Sequence, residues 1–348
     1  MDSLKKLYWI DAVKAICMIS VYVLHSEEYF GLADISYGYW LTPFYVNAFF
    51  FVSGYLFFRK YLLNLKNDDS KETYSYVRFK KHVHTLFAAL IWPTIIFSSI
   101  IYIPKIIFHD KETSVIQYFY DVFGGVSFWF TSALVVSQII LAILLLTQLR
   151  NIYTYILISV ILFIVAFLLK DFDTTPFPWY YKSGMAATLF MTLGGFYMAY
   201  EQKIDKAIGK FRFAGVVIIY ILIMWFDRNS GYAHSTILSM NVNFLGMTES
   251  MLGITIIIGI AKNLPENRYL TYIGRNSIFY YFFSGVLPAA LGLVFLHLFA
   301  IQWGYWGNLL IIFLSLIICT ILSNIINRYF SYLLDFRKLP FLNNERKA

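Results

Sequence analysis

Residues 8–26 read YWIDAVKAICMISVYVLHS, and this stretch decides what kind of fold the chain adopts. It is a mostly apolar run of the length that an α-helix needs to cross the hydrocarbon core of a bilayer, about 20 residues. Three ionisable side chains interrupt the run, namely Asp11, Lys14 and His25. Because charged groups inside a membrane span cost free energy and are rare, they mark the first helix as a candidate functional element.

The composition of the whole chain also indicates a membrane protein. Of its 348 residues, 59% are hydrophobic and 14% are charged, against roughly a quarter charged in ordinary soluble domains. This excludes a disordered chain and argues against a water-soluble enzyme, which needs more polar surface. The aromatic share of 20% is typical of a bilayer protein with interfacial belts. The basic residues that give the net charge of +8 lie in short loops between apolar runs, which favours a role in orienting the chain in a membrane over nucleic-acid binding.

Nine further apolar runs follow the first one, which predicts an all-α polytopic protein with about ten transmembrane helices. The predicted spans are at about residues 8–26, 41–58, 83–103, 128–148, 153–170, 184–200, 212–226, 238–261, 271–298 and 306–327. The first run lacks a small-residue cleavage site, so it is predicted to be retained as a helix. No linker or short repeat divides the chain, so residues 1–348 are predicted to form a single membrane-embedded domain without a soluble partner domain.

Basic residues alternate between high and low density from one loop to the next. The segments 59–81 and 201–212 and the C-terminal tail are rich in Lys and Arg, whereas the segment 27–40 has none. Since Lys and Arg accumulate on the cytoplasmic side of short loops, ten spans place both termini in the cytoplasm. The predicted location is a bacterial inner membrane.

The ionisable residues of the first helix have a regular spacing. Asp11 and Lys14 are three residues apart and can pair on one face. Lys14 and His25 are eleven residues apart, which at 100° per residue is three turns plus about 20°, so both lie on one stripe, roughly 16 Å apart along the axis. Tyr22 lies on or next to this stripe. A structural ion pair and an interfacial histidine at the helix end are the alternative interpretations.

Four further motifs follow this first helix in order. They are Phe50-Phe51-Val52-Ser53-Gly54, the basic run from Tyr76 through Lys81 to Trp92-Pro93, Phe128-Trp129-Phe130, and Gly274-Arg275-Asn276-Ser277-Ile278. Together with Asp11, Lys14 and His25, they resemble the motifs of the acyltransferase-3 family of integral membrane acyltransferases. The chain departs from the family pattern at Lys14, where Arg is usual, and at Ser284, where His is frequent.

The resemblance implies transfer of an acyl group, most often acetyl from acetyl-CoA, to a carbohydrate hydroxyl. Acyl-CoA is then a substrate, and neither a permanently bound cofactor nor a metal is expected. A sugar hydroxyl is a poor nucleophile near neutral pH, and imidazole is the side chain that titrates there, so His25 is predicted to be the general base. An acyl-histidine intermediate stays open. Asp11 and Lys14 either steady the donor or hold the helix geometry.

The basic residues on the predicted cytoplasmic side are candidates for donor binding. Arg78, Lys80 and Lys81 form part of the densest basic cluster on that face, and Arg275 lies in a later motif. Their side chains can bind the phosphates of acyl-CoA through charge-assisted hydrogen bonds. The alternative is that they only set the orientation of the chain in the membrane.

Three residues are assigned to acceptor binding. Trp129 can stack on a sugar or belong to an aromatic belt, and Tyr22 neighbours the stripe of Lys14 and His25. Glu249 is the one acid in the middle of a predicted span, where it can accept a proton or pair with a buried cation. The expected partners are therefore an acyl-CoA donor, a carbohydrate acceptor and membrane lipid.

Two other classes of protein compete with an acyltransferase. A transporter or flippase is one, because the ninth predicted span contains Gly285 and Pro288 and such proteins use broken helices. A non-enzymatic scaffold for glycan assembly is the other. The sequence leaves the acceptor sugar, the acyl chain and the oligomeric state open.

Overall fold

A computed structural model describes residues 7–27, 37–67, 75–109, 114–149, 151–169, 179–230, 244–299 and 304–339. These residues are almost entirely helical, and none of them lies in a β-strand. In chain order the helices are α1 (Tyr8–Glu27), α2 (Tyr37–Leu41), α3 (Tyr45–Asn67), α4 (Tyr76–Leu86), α5 (Trp92–His109), α6 (Val115–Phe123), α7 (Trp129–Leu146), α8 (Ile152–Leu168), α9 (Tyr181–Ser230), α10 (Phe244–Asn263), α11 (Arg268–Arg275), α12 (Ser277–Phe283), α13 (Val286–Phe299) and α14 (Gly304–Tyr329). A π-helical segment, Phe87–Ile91, joins α4 to α5. The predicted all-α fold is confirmed for this part of the chain.

Six segments of the described chain are helical, long and apolar enough to cross a membrane. They are Tyr8–Glu27, Gly38–Tyr61, Tyr76–Pro104, Trp129–Leu146, Leu245–Asn263 and Gly304–Tyr329. Two bent helix pairs raise the number to as many as eight, and the 17-residue helix α8 is shorter than these spans. The structure thus supports a polytopic protein with six to eight spans, whereas the count of ten and the cytoplasmic termini stay predictions.

The two bent pairs correspond to predicted spans with different boundaries. The predicted spans 184–200 and 212–226 belong to one helix, α9, because the polar segment between them consists largely of good helix formers. Gly209 interrupts this helix with a φ of +48°. The predicted span 271–298 is instead divided into α11, α12 and α13, and the axis bends by 44° between α12 and α13.

The described residues group into two compact units, and unit 1 comprises those of the ranges 1–52 and 202–323. Helix α1 belongs to unit 1 and packs against α2, α10, α11, α12 and α13. Its fully buried apolar and aromatic side chains are Ala12, Val13, Ala15, Cys17, Met18 and Tyr22. Because other helices cover α1 on several sides, its polar side chains face protein rather than lipid over much of its length.

Unit 2 comprises the described residues of the ranges 53–201 and 324–348. A Cβ atom added at Gly54 would overlap the backbone of Met191, so α3 and α9 meet here at backbone distance, as small residues allow. Two hydroxyls, of Ser159 on α8 and Thr192 on α9, share a hydrogen bond of 2.7 Å between helices. Unit 2 therefore uses small and hydroxylated residues to pack its helices closely.

The segment after α14 folds back on the π-helical segment of unit 2. The indole Nε1 of Trp92 donates a hydrogen bond of 2.9 Å to the carbonyl oxygen of Tyr332. The ring of Phe336 packs edge-on against Trp92, at 5.1 Å between centroids, and against Phe87, at 5.6 Å. Asp335 accepts hydrogen bonds from the backbone and the guanidinium of Arg337, which fixes the turn that presents Phe336.

Candidate active site

Helix α1 carries the predicted catalytic residues. Asp11 lies near its start and His25 lies in its last turn, where an acid and a cation respectively interact favourably with the helix dipole. Lys14 and His25 are both half-buried. The ammonium of Lys14 makes no hydrogen bond and no ion pair with any described residue, although Asp11 is close enough to act on it electrostatically. The helix therefore presents a cation and an imidazole, separated by three turns, on one stripe.

The ion-pair partner of Asp11 is Arg275 and not Lys14. The Nε of Arg275 lies 3.0 Å from Oδ2 of Asp11. This contact exists because α11 approaches α1 at backbone distance: a Cβ added at Gly274 would overlap the carbonyl group of Asp11. The glycine of the Gly274–Ser277 motif thus permits the approach, and the arginine that follows it reaches the carboxylate. The expected local pair of Asp11 and Lys14 is corrected by this tertiary contact.

A cavity of about 490 Å³ opens beside the start of α1. The residues that define its chemistry are Tyr8, Glu266, Arg268, Thr271, Arg275 and Asn276. Among them, only Arg275 is a residue that the sequence predicts to be functional. The sequence does place Arg268 and Arg275 seven residues apart, which is nearly two full turns of an α-helix. Both guanidinium groups therefore lie on one face of α11.

Tyr22 is completely buried between helices of unit 1. Its hydroxyl donates a hydrogen bond of 3.0 Å to the backbone carbonyl of Tyr280, and the two rings meet edge to face at 6.5 Å. This geometry ties α1 to α12. The hydroxyl of Tyr22 already has an acceptor within the protein, so a role in acceptor binding stays a prediction.

Glu249 is buried in α10, with 1% of its surface exposed. It lies close to Tyr220 of α9, whose hydroxyl donates to the carbonyl of Trp40. The next residue, Ser250, accepts a hydrogen bond of 2.8 Å from the amide of Asn47. Glu249 is thus a buried carboxylate near the Tyr220 side chain of unit 1, which fits either a functional or a structural acid within a span.

The basic cluster on α4 belongs to unit 2. Ser75 caps the helix by accepting a hydrogen bond from the backbone N–H of Arg78. Lys80 and Lys81 are exposed, and the ammonium of Lys80 lies 4.8 Å from the ring centre of Tyr76. These side chains are accessible to an anionic ligand from solvent.

Trp129 is the first residue of α7 in unit 2 and is half-buried. Its ring centroid lies 6.5 Å from that of Tyr180. Tyr180 and its neighbour Trp179 both have positive φ, near +50°, a conformation that non-glycine residues rarely adopt and that surrounding contacts must stabilise. One such contact is the hydrogen bond from the backbone N–H of Trp179 to the carbonyl of Gly124. Trp129 therefore stands beside an aromatic turn in which two residues have positive φ.

Comparison with known proteins identifies the family. The family model described as an acyltransferase domain matches residues 7–328. No curated protein and no solved structure matches the chain. The match includes α1 with Asp11, Lys14 and His25 and extends through α11 to the last turn of α14. Because the match covers nearly the whole chain, the protein belongs to the acyltransferase-3 family and carries an acyltransferase domain built from membrane-type apolar helices.

Proposed function

We propose that the protein transfers an acetyl group from acetyl-CoA to a hydroxyl of a cell-surface or lipid-linked polysaccharide, in the inner membrane of a bacterium. The observation that carries this proposal is the arrangement of Lys14 and His25 on one stripe of α1, a helix that the other helices of unit 1 cover. Family membership supports acyl transfer as the reaction class. The positive-inside pattern supports a donor that arrives at the Lys14 end and an acceptor that arrives at the His25 end.

His25 acts as the general base in this proposal. Its imidazole takes the proton from the acceptor hydroxyl while the oxygen attacks the thioester carbonyl carbon. The new C–O bond forms, the C–S bond breaks, and the CoA thiolate receives the proton from the imidazolium. Lys14 lies along the course of the donor and interacts with its polar groups. No acyl-enzyme is formed, because both substrates are bound together.

Further residues contribute to substrate binding in the same proposal. Arg275 on α11 holds the anionic donor through charge-assisted hydrogen bonds. The cluster of Arg78, Lys80 and Lys81 on α4 is the alternative donor-binding group. Trp129 stacks on a sugar ring of the acceptor, which its half-buried position beside the ring of Tyr180 favours. Glu249 contributes to acceptor binding within unit 1.

The test is acetyl transfer in membranes that contain His25→Ala or Lys14→Ala. Radiolabelled acetyl-CoA is supplied, and label in the polysaccharide fraction is measured together with protein abundance in the membrane. We expect His25→Ala to lose transfer by about two to four orders of magnitude, the usual contribution of a positioned base. Lys14→Ala is expected to raise the KM for acetyl-CoA.

Ser20→Ala serves as the matched control on the same helix. Among the described residues, the Ser20 hydroxyl donates only to the carbonyl of Ile16 within α1, so its loss leaves the stripe of Lys14 and His25 intact. Full transfer by His25→Ala would disprove the base assignment. Ping-pong kinetics with the wild-type protein would replace direct transfer by an acyl-histidine intermediate.

One observation favours a transporter or flippase as the second candidate function. The helices α12 and α13 form a broken span with a 44° bend at Ser284 and Gly285, and both pack against α1. Transporters use such interrupted helices at their binding sites. Flux of a glycan or small solute across vesicles that contain the purified protein, without any acyl transfer, would support this alternative.

A further inference from the structure

The cavity beside α1 and α11 has the size of a ligand site. Its volume of about 490 Å³ lies within the range of about 300–1,000 Å³ that small-molecule pockets occupy. Two arginines of α11 line it, one at each end of that eight-residue helix. Seven residues correspond to a rise of about 10 Å, so the cavity offers two separate positive groups on one face.

The guanidinium of Arg275 is oriented by the protein. Its Nε is held by Asp11 at 3.0 Å, and its two Nη groups have no acceptor among the described residues. A guanidinium held at Nε can present both Nη groups as a fork to a phosphate. The carboxylate of Asp11 therefore acts as a positioning group for Arg275.

The other polar groups of the cavity complete a site for a charged, hydrogen-bonding ligand. The hydroxyl of Tyr8 is buried and makes no hydrogen bond with any described residue. Arg268 is exposed and stacks 4.9 Å above the ring of Tyr269, which supports the guanidinium from one side. Glu266 is also exposed and can accept hydrogen bonds from hydroxyl or amino groups of a ligand.

We propose that this cavity binds the nucleotide part of the acyl-CoA donor, with Arg275 on the 5′-diphosphate and Arg268 on the 3′-phosphate. The inference rests on the proposed function and adds to it the place of each phosphate. CoA carries these two anionic groups on one ribose, which matches two arginines on one helix face. Arg275 is the arginine bound to α1, so the diphosphate, from which the pantetheine arm leaves, lies next to that helix.

The start of α1 gives the arm a direction. Tyr8 lines the cavity, Lys14 follows six residues later and His25 seventeen residues later, which correspond to rises of about 9 and 25 Å. An arm that leaves the diphosphate at Arg275 passes Lys14 before the thioester approaches His25. The nucleotide site and the proposed base thus lie at opposite ends of one helix.

The experiment compares two donors, acetyl-CoA and 3′-dephospho-acetyl-CoA, with the variants Arg268→Gln and Arg275→Gln. Arg268→Gln is expected to raise the KM for acetyl-CoA about tenfold, the effect of one charge-assisted hydrogen bond, and to leave the KM for the dephospho donor unchanged. Arg275→Gln is expected to raise the KM for both donors. Arg275→Lys keeps the charge and is expected to restore only part of the affinity, because the fork is lost.

Arg212→Gln is the matched control in unit 1, because the Arg212 guanidinium is exposed and donates to the carbonyl of Ala207 away from the cavity. Calorimetric titration of the purified wild-type and variant proteins with 3′,5′-ADP measures nucleotide binding without turnover. Unchanged binding and KM in both cavity variants would overturn the inference. A rise in KM for Lys80→Gln and Lys81→Gln, with none for the cavity variants, would place the phosphates at the α4 cluster instead.

The test also separates this inference from the proposed function. Loss of transfer in His25→Ala with normal nucleotide binding in the cavity variants leaves the base in place and removes the cavity site. Full transfer in His25→Ala with weakened nucleotide binding in the cavity variants removes the base assignment and leaves the cavity site in place. A lipid headgroup also carries phosphate, so the titration is repeated in nanodiscs of phosphatidylglycerol, which is anionic, and of phosphatidylcholine. Nucleotide binding seen only in the absence of the anionic lipid would assign the cavity to the lipid headgroup and overturn the inference.

Discussion

At the scale of single residues, the contact between Asp11 and Arg275 controls donor binding in our proposal. Asp11→Asn replaces the charged acceptor by a weaker one, so Arg275 is oriented less strictly. We expect the KM for acetyl-CoA to rise several-fold, while thermal stability changes little because exposed or half-exposed ion pairs contribute about 0–1 kcal/mol. Steady-state kinetics and a thermal melt in detergent measure both. A fall in kcat at constant KM would instead assign Asp11 to the chemical step.

Tyr22 offers a second test at the same scale. Tyr22→Phe removes the hydrogen bond to the carbonyl of Tyr280 and keeps the buried ring. We expect a loss of stability of about 1 kcal/mol and an unchanged KM for the acceptor, because the hydroxyl is used inside unit 1. Thermal denaturation measures the loss of stability, and steady-state kinetics with varied acceptor measure the acceptor KM. A raised acceptor KM with normal stability would favour the predicted role in acceptor binding.

The spacing of residues along the sequence predicted some of these positions and could not predict others. The periodicity of a helix places Lys14 and His25 on one stripe, since this depends only on α1 itself. The partner of Asp11 is 264 residues away, and local spacing favours Lys14 because it contains no information on the approach of α11. Arg268 was missed for a related reason: the seven-residue spacing to Arg275 becomes informative only when α11 is known to face a cavity.

At the scale of helices, the contact between α1 and α11 depends on Gly274. A Cβ added there overlaps the backbone of Asp11, which cannot move without displacing α1. Gly274→Ala is expected to cost about 1–3 kcal/mol and to lower transfer, since Arg275 moves with α11. Thermal melts and the transfer assay measure these effects.

Gly215→Ala is the matched control for this substitution. Gly215 also lies in a helix, α9, but nothing lies within 4 Å of a Cβ added there. Replacing a helical glycine by alanine in open space is expected to stabilise by about 0.4–1 kcal/mol. Equal stability of the two variants would contradict the close backbone contact at Gly274.

Helix existence was easier to predict from the sequence than helix boundaries. Hydrophobic runs located α1, α7 and α14, because hydropathy over a window of 20 residues reports the cost of burial in lipid. The same criterion divided α9 into two predicted spans. A hydropathy window ends a span at polar residues, although Lys, Glu and Gln are good helix formers and the helix continues through them. It also joined α11, α12 and α13, because the breaks at Asn276 and Ser284 leave little trace in hydropathy.

At the scale of the whole molecule, the orientation in the membrane is testable by cysteine labelling. The natural cysteines, Cys17 and Cys319, are completely buried, so the wild-type protein is expected to resist a membrane-impermeant maleimide. Glu28 lies outside the described residues, in the segment 27–40 without Lys or Arg that is predicted to face outward, so Glu28→Cys should be labelled in intact cells. Lys66→Cys and Arg346→Cys should be labelled only after permeabilisation. Labelling of Arg346→Cys from outside would make the number of spans odd and contradict the predicted cytoplasmic C-terminus.

The class of the molecule followed from its composition, whereas its span count did not. A hydrophobic share of 59% argues against a water-soluble enzyme of this length. Counting spans requires the length of each continuous helix, and bends such as that between α12 and α13 let two short helices serve as one span. The division into two units also depends on contacts between distant segments, which no composition shift along the chain marks.

The fold-back of the chain after α14 has a practical consequence for protein engineering. Trp92 binds the backbone carbonyl of Tyr332, and the ring of Phe336 packs on Trp92 and Phe87. A fluorescent reporter or affinity tag fused directly after Tyr329 would therefore disrupt these contacts. The linker of such a fusion should therefore begin after Leu339, so that the folded-back segment stays intact. Reporter brightness and expression yield would then decline for fusions made before that point and recover for those made after it.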